Sequence, residues 1–338
     1  MKYKLLSVST EKQVNIGDYI QALASSQFLP KVDGFIQREL LKEYNGDECK
    51  IIMNGWYMHN PNQWPPSEKI NPLFVAFHIN SLTKDLMLSD ESIDYFKKNE
   101  PIGCRDLNTM NILQERGVNA YFSACMTLTL GHKYKSEEKE KKCYFVDPFF
   151  IKKNSLSSKL YNLFYITFHW RTINHIAKKF HTNNTGIQKK ISVSLFYRQY
   201  KKIFTKKTLL EAEYISQQNR FYKENLQNDE ERLSVAEELV KKYSKAALVV
   251  TSRIHCALPC LGLETPVIYI YNSEQSEASK CRLGGLEELF NIIRLGSKGF
   301  IKDFTFNDKI SIENFPKNKN TWKEYADKLI KRAYNFTK

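Results

Sequence analysis

The sequence predicts an α/β protein of two halves, each built on a parallel sheet. Two observations carry this. Short, wholly apolar runs recur, such as residues 247–250 and 267–271, and read as strands buried on both faces of a sheet. Between and beside them lie segments of crossover-helix length, so strand and helix alternate along the chain. At 338 residues the chain has room for one large or two ordinary domains. The divide falls in the mixed-charge run 133–142. The boundaries drawn are a first domain over 1–135 and a second over 142–310, the latter carrying a basic helical insertion at 149–190. A terminal helix within 311–338 is expected to pack back on the first domain.

In order along the chain, residues 3–8 form the opening strand, with too short an apolar segment for a secretory signal. A polar loop over 11–15 leads through Asn15-Ile16-Gly17-Asp18 into a helix whose Ile20, Leu23, Ala24 and Phe28 keep near-3.6 spacing. Strand, glycine-bearing loop, helix is the geometry of a phosphate- or substrate-binding first turn, and equally of an ordinary capped turn. Residues 50–54 make a strand that stops at Asn54-Gly55, 61–66 a loop, and 73–79 a third strand delivering His78. Ser89 or Asp90 caps a helix to about Lys98. Residues 102–104 deliver Arg105, Asp106 caps the helix that follows, and Gly117 closes it. Residues 118–124 are the next strand.

The second half opens with a strand over 142–147. Between 133 and 190, thirteen Lys and Arg face four acids. Here Leu160, Leu163, Phe164, Phe168, Ile173 and Ile176 lie among Lys159, Arg171, Lys178 and Lys179, with Tyr161, Tyr165 and Trp170 nearby. A basic, aromatic amphipathic helix suits a membrane interface; a helix packed on a domain with its lysines in water is the alternative. Residues 213–216 read as a short strand and 229–243 as an amphipathic helix. Residues 255–263 are the crossover helix before the strand at 267–271. A loop over 281–286 then precedes a helix to about Ile293, and 322–334 form the last helix.

The net charge of +14 admits nucleic acid, anionic lipid and phosphorylated substrates as partners. No apolar run approaches the roughly 20 residues of a membrane span. Seven cysteines without framework spacing suit a reducing cytoplasm, and Cys256 with Cys260 reads as a pair of small buried residues. There is no Asp-x-Asp, His-x-x-x-His or Cys-x-x-Cys pattern, so neither a metal nor a bound cofactor is expected. The absence of a Walker loop and of Gly-x-Gly-x-x-Gly argues against an NTPase or a dinucleotide enzyme.

The strongest candidates are Arg253 and His255. They follow a strand and enter a helix, the edge where open α/β sheets bind ligands and where helix N-termini favour anions. Asn15, Gly17 and Asp18 join them from the first turn, and Arg105 from a strand end. Asn54 and His78, also at strand ends, are added as substrate-binding candidates. Two guanidinium forks suit a small dianion. A histidine beside them moves a proton near neutral pH, and Asp18 either accepts a sugar hydroxyl's hydrogen bond or polarises that hydroxyl for attack, so His255 and Asp18 are the catalytic candidates. A salt-bridged cap for Arg105 and a structural place for His78 are the competing readings.

Four segments together resemble the polysaccharide pyruvyl transferase family: Asn15-Ile16-Gly17-Asp18 with Gln21-Ala22; Gly103-Cys104-Arg105-Asp106 with Thr109; residues 123–130; and Val-Val-Thr-Ser-Arg-Ile-His-Cys-Ala-Leu-Pro-Cys with Thr265-Pro266. The chain departs from the family pattern at Ser216-Gln217, where members carry Thr-His, and at Ile254. The resemblance implies two Rossmann-like domains similar to a B-type glycosyltransferase. It also implies transfer of the pyruvyl group of phosphoenolpyruvate, as donor substrate, onto two hydroxyls of a glycan or lipid-linked sugar, forming a ketal and releasing phosphate. His255 would be the acid/base, with Arg253 and Arg105 on phosphate and carboxylate. The expected setting is cytoplasmic, at the inner face of a bacterial membrane, with peripheral contact to anionic lipid and no nucleic acid. A glycosyltransferase using a nucleotide-activated sugar is the alternative, and a non-catalytic cationic binder a third class.

Overall fold

A computed structural model describes all residues except 9–14, 153, 154, 219–221, 223–225 and 298, and for 156, 159, 277 and 278 the backbone alone. The loop expected at 11–15 therefore lies outside the described residues apart from Asn15, as does the side chain of Lys159. The first half contains β1 (Lys2–Tyr3), β2 (Leu5–Ser7), β3 (Phe35–Gln37), β4 (Cys49–Tyr57), β5 (Ile70–Ile79), β6 (Ile102–Cys104) and β7 (Ala120–Phe122). Five of these make a parallel sheet in the order β1-β4-β5-β6-β7, while β2 pairs with β3.

Asn15 caps the helix Ile16–Ser26, its side-chain oxygen accepting from the Gly17 N–H at 3.1 Å. The strand expected to stop at Asn54-Gly55 instead runs on to Tyr57. Gly55 takes φ +122° where the register with β5 shifts, so the glycine marks a bulge inside the strand and not its end. Ser89 caps Asp90–Lys98 and Asp106 caps Leu107–Gln114, with Gly117 at φ +74° just beyond the latter.

The second half holds β8 (Cys143–Val146), β9 (Glu213–Ile215), β10 (Leu248–Thr251), β11 (Val267–Asn272), β12 (Asn291–Gly296) and β13 (Gly299–Lys302), in the order β13-β12-β11-β10-β8-β9. All pairs are parallel except β12 with β13. One sequence expectation is corrected here. The segment expected to be helical to Ile293 is a single short turn, Glu287–Leu289, followed by strand β12. Leu286, Leu289, Phe290 and Ile293 mimic helical spacing. Yet Ile292, Ile293 and Leu295 are all buried in the strand beside β11, and burial of β-branched residues on both faces overrides the period.

The basic segment folds as Leu156–Phe168, Trp170–Lys179 and Gly186–Tyr200. Its apolar set divides: Ile173 and Ile176 are buried in the core beneath the second sheet, while Leu160, Leu163, Phe164 and Phe168 face outward.

The two sheets are joined by one continuous apolar core. Helix Ile16–Ser26 supplies Ile16, Tyr19, Ile20 and Leu23 to it, and helix Asp229–Lys245 supplies Val235, Ala236, Leu239 and Val240. Helix Ile254–Gly262 presses against residues 126–131 with no room for side chains: a Cβ on Gly262 would lie 2.4 Å from the Leu128 carbonyl oxygen. The last helix, Trp322–Thr337, ends against the first half, where the Tyr3 hydroxyl donates to the Thr337 carbonyl at 3.0 Å and Lys50 Nζ to that of Phe336 at 2.6 Å. Among the described residues no helix is long and apolar enough to cross a membrane.

Candidate active site

Strand β10 ends at Thr251, whose hydroxyl donates to the Val146 carbonyl and accepts the Arg253 N–H, both at 2.9 Å. That turn places Arg253 at the cap of helix Ile254–Gly262. Here lies a cavity of about 170 Å³, walled by Asn15, Arg105, Gln217, Arg253, His255 and Arg282. Four residues expected from the sequence thus meet in one wall.

Gly17 and Asp18 stand directly beside it. A Cβ on Gly17 would lie 3.0 Å from His255 Cβ and 3.1 Å from Gln217 Oε1, so the glycine lets the first turn reach the imidazole. Asp18 Oδ1 is 3.7 Å from His255 Nδ1. Gln21 Nε2 donates to Asp18 at 3.2 Å and lies 3.5 Å from the same ring nitrogen. His255 Nε2 has no hydrogen-bond partner among the described residues.

Arg105 is 1% exposed, and its Nε and Nη1 likewise have no partner among the described residues. Unpaired donors on a buried cation are costly, by several kcal/mol on general grounds, unless an anion joins them. Arg253 is oriented from outside the cavity: its Nε donates to Asp147 Oδ2 at 3.0 Å, and the same oxygen accepts the Gln217 N–H at 3.0 Å. Asp147 adopts φ +42° at the end of β8, a left-handed turn that aims its carboxylate back toward β10.

Asn54 and His78 are not in the cavity wall. Asn54 fastens β4 to the first helix, accepting from the Ser25 hydroxyl at 2.9 Å and donating to the Gln21 carbonyl at 3.0 Å. His78 is buried, with Nδ1 2.5 Å from Asp106 Oδ2 and 3.3 Å from the Thr109 hydroxyl. It secures the turn that carries Arg105.

The electrostatics follow from burial and the arginines. Burial holds the His255 imidazolium well below its ordinary range, and Arg105, Arg282 and Arg253 push the same way. His78 falls to about 4 through burial and Arg105, with Asp106 opposing. Desolvation raises the Asp18 carboxyl, opposed by Arg38, Arg282, Arg105 and Arg253. Burial, then Arg282, lowers Arg105. Both imidazoles are therefore neutral near pH 7 in a field that favours an anion.

Three contributors escaped the sequence reading. Arg282 lies ahead of the Gly284-Gly285 turn, where Gly285 has φ +82° and the Gly284 carbonyl accepts the Leu107 N–H at 3.1 Å, bringing it beside the Arg105 turn. A cation before paired glycines was the available signal. Asp147, an acid at a strand end, carried a similar one. Gln217 stood out only as a departure from the family pattern. Among the described residues no three His, Cys, Asp or Glu side chains gather as metal ligands.

Such a cavity suits a small, multiply charged anion held by guanidinium forks, with a neutral imidazole able to take and return a proton. A family model described as polysaccharide pyruvyl transferase matches residues 15–274, which include every sequence-predicted site residue. No curated protein and no solved structure matches the chain.

Proposed function

The chain belongs to the polysaccharide pyruvyl transferase family, and on that premise we propose that it transfers the pyruvyl group of phosphoenolpyruvate to two hydroxyls of a glycan, forming a ketal and releasing phosphate. The observation that carries the donor assignment is the pairing of a small cavity with unpartnered Arg105 donors and two further arginines. About 170 Å³ is below the roughly 300–1,000 Å³ of sites that enclose drug-sized ligands, and fits a three-carbon phosphorylated acid better than a nucleotide sugar. We read the two mainly parallel sheets flanking this site as the two-domain arrangement of B-type glycosyltransferases.

Arg105, Arg253 and Arg282 hold the donor's phosphate and carboxylate. His255 Nε2 faces the donor's methylene carbon and the first acceptor hydroxyl. Before the donor binds the imidazole is neutral, and a bound polyanion raises its basicity by opposite charge. His255 takes the hydroxyl proton and delivers it to the methylene carbon, which becomes the methyl group. The hydroxyl oxygen bonds to the central carbon. The carbon–oxygen bond to phosphate then breaks, leaving a centre with oxocarbenium character that the second hydroxyl attacks. The second proton leaves with phosphate, so one proton ends on carbon and one on the leaving group. Asp18 accepts from an acceptor hydroxyl and steadies Nδ1 during the transfer. The acceptor is a surface glycan or its lipid-linked precursor, met at the inner face of the membrane.

Incubation with phosphoenolpyruvate and an acceptor glycan is expected to release inorganic phosphate and add an acid-labile methyl singlet in the proton NMR spectrum. His255→Ala is expected to abolish both. Release of a nucleotide from a nucleotide sugar, with phosphoenolpyruvate inert, would favour a glycosyltransferase.

A further inference from the structure

Between residues 148 and 210 the chain carries thirteen lysines and arginines and not one aspartate or glutamate. Nearly the whole net charge of +14 therefore sits in this stretch. Helix Leu156–Phe168 lies within it and exposes large apolar side chains to solvent: Leu160 is 58% exposed, Phe164 70% and Phe168 79%. These three are four residues apart and form one row along the helix, with the Phe164 and Phe168 rings stacked at 6.3 Å. Trp170 continues the patch, half exposed under the Lys190 ammonium at 3.9 Å from its ring centroid.

The next row of the same helix, Tyr161 and Tyr165, walls a cavity of about 520 Å³ with Arg198, Lys201, Lys202 and Phe300. Arg198 lies over the Tyr161 ring at 5.0 Å and Lys201 over that of Tyr165 at 5.0 Å. Among the described residues lining it, none is acidic. An apolar row, interfacial aromatics and a cationic hollow side by side are the parts of a membrane-surface contact, in which rings enter the acyl boundary and cations meet lipid phosphates. A nucleic-acid groove would need open ring faces inside the basic hollow to stack bases; here Tyr161 and Tyr165 lie under Arg198 and Lys201, and the most exposed rings, Phe164 and Phe168, stand outside it.

We propose that this face docks on an anionic bilayer, Leu160, Phe164 and Phe168 entering the interface and the Arg198–Lys201–Lys202 hollow receiving a lipid phosphate headgroup. The inference goes beyond the transferase reading and does not depend on the donor. It places the site usefully for a lipid-linked acceptor. The cavity is bordered by Ile151 after β8 and Gly296 at the end of β12, on the carboxyl edge shared by the parallel strands β8, β10, β11 and β12. Ile151 is four residues past Asp147, the partner of Arg253, so their Cα atoms are at most about 14 Å apart.

The test is flotation of the full chain with phosphatidylcholine vesicles, alone or containing phosphatidylglycerol, at low and high salt. Binding is expected only to the anionic vesicles, weakened by salt, with a blue shift of tryptophan emission. Phe164→Asp with Phe168→Asp is expected to lower vesicle affinity at least about tenfold, as is Arg198→Gln with Lys201→Gln. Unchanged thermal melting would show that these variants fold. No binding to anionic vesicles, undiminished binding by the folded Phe164/Phe168 variant, or binding to single-stranded RNA or to soluble glycerol phosphate without vesicles would each overturn the proposal.

Discussion

Arg105 is a fixed cation held inside the protein with two nitrogens, Nε and Nη1, unpaired among the described residues. If they serve a ligand, Arg105→Met should leave the protein measured without donor as stable as before, or more so by about 1–3 kcal/mol, while donor binding disappears. A melting curve and a binding titration of the same variant check both halves; a large loss of stability would make the residue structural. His255 makes a different prediction. On the proposed mechanism, with Nε2 unpartnered in a residue of the cavity wall, His255→Gln should lower kcat by about 10²–10⁴-fold while donor affinity is largely kept, as single-turnover kinetics and calorimetry would show. His78 belongs to stability. Its folded value near 4 lies below the ordinary 6.5, so the unfolded chain binds the proton first as the medium acidifies. The stability this neutral imidazole confers is complete above pH 6.5 and declines as pH falls toward 4, by about 3 kcal/mol in all. Urea denaturation at pH 7 and 4.5 should show that decline in the native chain and a shallower one in His78→Gln.

At the scale of elements, the site depends on how closely two helices and one strand end approach each other. The first helix reaches His255 only because residue 17 lacks a side chain, with Gln217 Oε1 and Asn15 Oδ1 also within 3.2 Å of a Cβ placed there. Gly17→Ala should fold and yet lose activity, because the neighbours shift by tenths of an ångström at the reacting centre. Full activity in that variant would remove the close approach from the account. Strand β8 contributes through Asp147, which holds Arg253 without lining the cavity. Asp147→Asn should weaken donor binding about 10–100-fold, by analogy with other orienting partners, raising KM more than it lowers kcat. An equal fall in kcat alone would mean that Asp147 acts on the chemistry directly.

For the whole molecule, the alternation of apolar runs and helical segments was enough to read two parallel sheets, because doubly buried strands carry their signal locally. The strand at Asn291–Gly296 was misread because Leu286, Leu289, Phe290 and Ile293 reproduce a helical period that only the neighbouring β11 overrides. Arg105, Arg253, His255 and the 15–18 turn were legible as strand-end and helix-start residues, a position that local sequence reveals. Arg282 and Asp147 were not, since their value comes from which elements the fold places beside Arg105 and Arg253. Asn54 and His78 occupied similar strand ends and proved to fasten the scaffold, so strand-end position alone does not separate a wall residue from its support. The central claim is that the 15–18 turn, Arg105 and the Arg253–His255 segment converge on one small phosphorylated acid. Isothermal titration of the native chain with phosphoenolpyruvate tests it most directly. Saturable binding at one site, competed by inorganic phosphate and lost in Arg253→Ala, is the predicted result. Saturable binding of a nucleotide sugar, with no heat from phosphoenolpyruvate, would contradict it.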